Sequence, residues 1–158
     1  MSIAAAGKPY VLGPNEGDSY WFLDTLMEVK AGGSQTNGCF TVIEWQAGAG
    51  FAPPPHVHRQ EDEAFYVLQG RLAVRCGDGE FAAGPGSFVL LPRGIAHTFT
   101  VLEAVRALQV TGPSRFEEFV ARLGVPAPSA TLPPPSPLDV DNLLRVAREF
   151  DIEIPPPA

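Results

Sequence analysis

The sequence predicts an all-β domain followed by short helices. Three observations carry this reading. Glycine and proline make up about a fifth of the 158 residues, with 16 Gly and 17 Pro. Apolar runs are short, rich in β-branched and aromatic residues, and bounded by turn residues. Only beyond Gly112 does the apolar spacing change to that of a helix.

Taken in order, strands are expected at 20–23, 26–31 and 39–46, with 32–38 between the last two as a loop ending in the turn pair Asn37-Gly38. Pro53-Pro54-Pro55 holds the next stretch extended, because proline fixes its own φ and biases its predecessor away from helix. Strands follow at 63–69 and 71–76, and Gly77-Asp78-Gly79 reverses the chain into 80–82. Leu72, Val74 and Cys76 share one face and Arg71, Ala73 and Arg75 the other, as in a sheet with one buried side. The last strands are 87–91, 97–102 and 105–111. Ser114-Arg115-Phe116-Glu117 then reads as a capping box for a helix stopped by Gly124. Six prolines between Pro126 and Pro137 make an extended connector. A second helix is expected over 138–150, with Ser136 as cap and Pro137 at its first position. The chain thus divides into a barrel domain, 1–112, and a helical and Pro-rich extension, 113–158.

A length of 158 residues suits one core rather than two. The net charge of −7 opposes binding to a phosphate backbone, so nucleic acid is excluded as a partner. The apolar start is short and lacks a basic lead-in, and no run reaches membrane-spanning length. These features place the protein in the cytoplasm, away from membranes. Cys39 and Cys76 sit in strand-like runs and are expected as reduced, buried thiols. Lysine is scarce beside arginine, a bias of GC-rich bacterial genomes.

The three histidines are not scattered. His56 and His58 alternate on an extended segment and point to the same side, Glu63 follows, and His97 comes after a Pro-x-Gly turn. Taken singly, each has an ordinary surface reading. Together they are metal-ligand usage. Asp62 lies at a competing spacing, and alternation favours Glu63, which shares its face with Phe65 and Val67.

The segments Gly50-x5-His56-x-His58-x4-Glu63-x6-Gly70 and Gly86-x5-Pro92-x-Gly94-x2-His97 resemble the two motifs of the cupin superfamily. Val101 stands where the second motif usually has asparagine. The resemblance implies a small jelly-roll barrel with the metal inside, held by His56, His58, Glu63 and His97. Three imidazoles and a carboxylate suit one divalent ion of Fe, Mn, Co, Ni or Zn. By alternation Phe65, Val67, Phe99 and Val101 face the ion and form an apolar substrate pocket.

The wording from Pro55 to Val67 and from Leu91 to Phe99 further resembles single-domain bacterial quercetinase-like cupins. That likeness implies a dioxygenase acting on a flavonol or related phenolic aromatic, with dioxygen as co-substrate and Glu63 as both ligand and catalytic base. The same fold hosts non-redox enzymes, such as polyketide cyclases or isomerases using Zn, and small-molecule binding modules without turnover. A homodimer is expected as the assembly.

Overall fold

The computed structural model describes residues 7–156. Its strands are β1 (Asp18–Phe22), β2 (Thr25–Ala31), β3 (Thr41–Ala47), β4 (Val57–His58), β5 (Asp62–Cys76), β6 (Gly79–Ala83), β7 (Phe88–Leu91), β8 (His97–Gly112), β9 (Val125–Pro126) and β10 (Ile152–Glu153). Three helices, α1 (Gly33–Thr36), α2 (Phe116–Leu123) and α3 (Val140–Glu149), complete the fold. Eight strands form one sheet in the order β6-β5-β8-β3-β2-β1-β9, with β7 also paired to β5, while β4 pairs with β10. This is the expected all-β jelly roll with short C-terminal helices.

Its core follows from alternation. Thr41, Ile43, Trp45 and Ala47 of β3 are buried and the residues between them are not. Facing them, Val105, Ala107, Gln109 and Thr111 of β8 are buried in the same period. Each long strand was expected as two. β5 continues through residues 69–71, where its pairing with β8 shifts register. The shift moves its buried set from Glu63, Phe65 and Val67 to Leu72 and Val74. Gly70 makes the bend possible: its φ is 82° and a Cβ there would lie 2.2 Å from the Ala104 carbonyl oxygen.

Other local expectations are corrected. Residues 33–36 form a helical turn, which Asn37 and Gly38 end in left-handed conformations. The capping box at 114–117 does not form. Arg115 is the N-cap of α2, and the Glu117 carboxylate instead accepts from the Arg115 N–H (3.1 Å), the Gly33 N–H (2.5 Å) and the Thr41 hydroxyl. A long-range, charge-assisted set displaces the local one. α3 starts at Val140, not 138, because the Asp139 side chain accepts from the Asn142 N–H (3.0 Å) while Ser136 and Pro137 stay in the connector. Cys39 is exposed and Cys76 half-buried, since one precedes β3 and the other ends β5.

The extension does not stand apart. β9 pairs with β1, β10 pairs with β4, and Phe116, Phe119 and Leu143 enter the apolar core. Among the described residues, no helix is long and apolar enough to cross a membrane.

Candidate metal centre

Backbone pairing sets two of the histidines opposite each other. The His56 N–H donates to the His97 carbonyl (3.0 Å) and the His97 N–H to the His56 carbonyl (2.9 Å). The carbonyl of His58 accepts from the Gly94 N–H (2.8 Å), and Ile152 of β10 pairs with His58. Glu63 lies on β5 between β7 and β8, opposite Leu91 and Thr111.

The structure brings His56, His58, Glu63 and His97 together. One ligand-type atom from each lies within 4.8 Å of the others. Glu63 Oε2 is 3.0 Å from His97 Nε2 and 3.2 Å from His58 Nε2. His58, Glu63 and His97 are buried and His56 is half-buried.

The second ring nitrogens decide which lone pairs are free. His56 Nδ1 lies 2.9 Å from the Pro54 carbonyl and His97 Nδ1 3.1 Å from the Ile95 carbonyl. A carbonyl only accepts, so each Nδ1 carries a proton; His56 Nε2 then offers a lone pair, and His97 Nε2 does so once it gives up its contact with Glu63 Oε2 at 3.0 Å. Both ring nitrogens of His58 are buried without a hydrogen-bond partner. Neutral imidazoles and a carboxylate converging out of water fit a divalent first-row ion, and such a cluster could hold one.

The acidic run divides its work. Asp62 turns outward to Arg93, its carboxylate accepting from the Arg93 N–H (2.9 Å) and from Nη2 (2.7 Å). Those hydrogen bonds hold its carboxyl at a pKa of about 2. Glu63 turns inward. Burial pushes its carboxyl up, but the nearby His58 and His97 rings outweigh that and hold it far below the usual range.

The histidines diverge in the metal-free state. Burial lowers the His56 pKa to about 4, helped by the nearby His97. Burial also opposes charge on His58, yet Glu61 and Glu63 outweigh it and lift the pKa to about 9. A metal ion must therefore displace the His58 proton. Affinity for a divalent ion is expected to rise roughly tenfold per pH unit up to about 9 and then level off. Chelator competition across that range, with a pH-independent affinity as the contrary result, checks it. Linkage gives the matching stability signs. His58 stabilises the metal-free fold below 6.5 and that contribution is lost as pH rises through about 9, whereas His56 costs stability as pH falls from 6.5 towards 4.

A cavity of about 70 Å³ opens on this cluster. Phe99 lines it. Phe65, Val67 and Val101 do not. They face inward but away from the open space: Phe65 packs on Trp45 and Phe99 with ring centroids 5.4 Å from each, and Val67 and Val101 fill the core. Facing inward is not the same as facing the cavity. Its walls come instead from residues that motif reading did not single out, including Trp45, Phe51 and Gln109. Phe116, Phe119 and Leu143 of the helical extension close it, and the Phe116 ring lies 5.7 Å from that of His58. The amphipathic spacing of α2 was the available signal. Trp45 Nε1 and Gln109 Nε2 are buried and unpartnered.

Comparison with known proteins agrees with this architecture. The cupin domain family matches residues 41–111. The chain is 28% identical to quercetin 2,3-dioxygenase of Bacillus subtilis over 151 residues, covering 94% of this chain and 45% of that protein. It is 35% identical over 68 residues to an uncharacterized protein of Streptomyces coelicolor, covering 42% of this chain and 62% of that one. The chain thus spans roughly half the length of the curated relatives it matches. Among solved structures, an RmlC-like cupin from Shewanella frigidimarina superposes with a TM-score of 0.60 at 12% identity, over 70% of this chain and 96% of that one. KdgF from Halomonas sp. does so with 0.55 at 20% identity, over 60% and 85%. Residues 41–111 thus match the cupin domain family, in line with the motifs and the jelly-roll architecture, and the chain is similar in sequence to quercetin 2,3-dioxygenase.

Proposed function

We propose that the protein is a metal-dependent dioxygenase acting on a flavonol or related phenolic aromatic. The observation that carries this reading is the cluster of His56, His58, Glu63 and His97 beside an apolar, aromatic-walled cavity. Similarity to quercetin 2,3-dioxygenase over 94% of the chain supports it. When bound, a divalent ion (Fe, Mn, Co, Ni or Zn) would supply Lewis acidity that lowers the pKa of a phenolic hydroxyl.

The residues around the ion have distinct work. Glu63 takes up the hydroxyl proton as the catalytic base. Trp45 Nε1 and Gln109 Nε2 suit an oxygen acceptor on the substrate, since a buried donor left unmade is costly. At about 70 Å³ the cavity holds only the reacting end of a molecule this size. A groove of about 470 Å³ adjoins it across Leu23, Phe51, Pro53 and Pro54, and receives the rest.

In this reading the barrel, 1–112, carries the chemistry and the extension, 113–158, closes the mouth; residues 1–6 and 157–158 lie outside the described residues. The setting is the cytoplasm, and the assembly is a homodimer. Exposed Tyr66, Phe88, Leu90 and Val110, neighbours on the outer sheet face, suit a second copy. A monomer mass by light scattering contradicts that assembly.

Loss of flavonol absorbance in air, compared with strict anaerobiosis, tests the activity. Turnover only in air is expected. Turnover without oxygen points to a non-redox cyclase or isomerase, and tight binding without turnover to a binding module.

A further inference from the structure

Glu61 has no part in the cluster, yet it is only 2% exposed. A carboxylate that far from water needs a partner. Its Oε2 is buried and unpartnered, and so is His58 Nδ1, 3.5 Å away. One is an acceptor and the other a donor. A small closure satisfies both, whereas a buried donor and acceptor left unmade are each costly.

The other two histidines show what this contact is for. His56 and His97 each donate their Nδ1 proton to a backbone carbonyl two residues before them, Pro54 and Ile95. At His58, Nδ1 faces Glu61 instead. We propose that Glu61 is a positioning residue: by accepting the Nδ1 proton of His58 it fixes the tautomer whose Nε2 lone pair joins the cluster, and it adds a second buried negative charge beside a divalent ion. An outer carboxylate on a ligating imidazole orients the ring and raises its basicity. This rests on the reading of the cluster as a metal site and not on the reaction assigned to it.

The test compares Glu61→Leu and Glu61→Gln with the parent protein by two readouts. The first is zinc affinity of metal-stripped protein against a competing chelator. The second is imidazole 15N NMR, in which the chain's three histidines give a short spectrum. For Glu61→Leu, zinc affinity is expected to fall roughly 10- to 100-fold, with the Nδ1–H signal of His58 lost and those of His56 and His97 kept. Glu61→Gln retains an acceptor oxygen and is expected to stay within a few-fold of the parent, with the His58 signal present. Parent-like affinity and an unchanged His58 signal in Glu61→Leu overturn the proposal. So does equal disturbance of all three histidines, which marks general damage.

The tautomer is also read without metal, in metal-stripped protein across a pH series. If the parent binds no zinc, the metal reading fails, while the His58 tautomer still decides the role of Glu61. Should Glu61→Leu fail to fold, Glu61→Asp draws the carboxylate back by one methylene. It is expected to weaken the same His58 signal, and an unchanged signal there overturns the proposal.

Discussion

Alanine at His97, His56 or His58 is expected to strip the protein of its metal, whereas the parent holds about one divalent ion per chain. Each imidazole supplies one of four donors within 4.8 Å of one another, and the surrounding phenylalanines offer no substitute. Loss of a direct ligand should therefore exceed the roughly 10- to 100-fold typical of an outer partner. The fold should survive. His56 and His97 are joined through backbone hydrogen bonds, which truncating the side chains leaves in place. Metal analysis with circular dichroism checks both halves, and full occupancy in a His56→Ala, His58→Ala double variant contradicts the site.

Glu63→Gln is expected to separate binding from chemistry. The amide keeps the shape and one oxygen towards His58 and His97 but cannot take up a proton, so part of the metal stays while turnover on a phenolic substrate falls roughly 100-fold or more. Asp62→Asn is the matched control. Its carboxylate pairs outward with Arg93, so metal content and turnover should change little. Normal turnover by Glu63→Gln makes Glu63 structural at most, and loss of metal in Asp62→Asn transfers the ligand role to Asp62.

Much of this was legible because the informative features are local. The strand positions follow from turn residues, and the choice between Asp62 and Glu63 follows from alternation along one strand, which turns the first to Arg93 and the second to the histidines. What was not legible depends on contacts distant in sequence. β9 and β10 are two residues each, carry no period, and exist only through pairing with β1 and β4. Glu117 has the spacing of a capping box but meets Gly33 and Thr41 instead. Alternation identified Phe65, Val67 and Val101 as inward-facing, yet Trp45 and Phe99 occupy the space beside Phe65. Glu61 could be separated from its acidic neighbours only by its burial against His58.

The central claim is that metal at His56, His58, Glu63 and His97 drives oxygen-dependent ring chemistry on a phenolic substrate. Oxygen uptake, measured with quercetin while the metal content of stripped protein is raised stepwise, tests it most directly. The account predicts uptake in proportion to bound metal, one dioxygen per flavonol consumed, and none in the His56→Ala, His58→Ala double variant. Flavonol consumed without oxygen uptake, or uptake independent of bound metal, would contradict it.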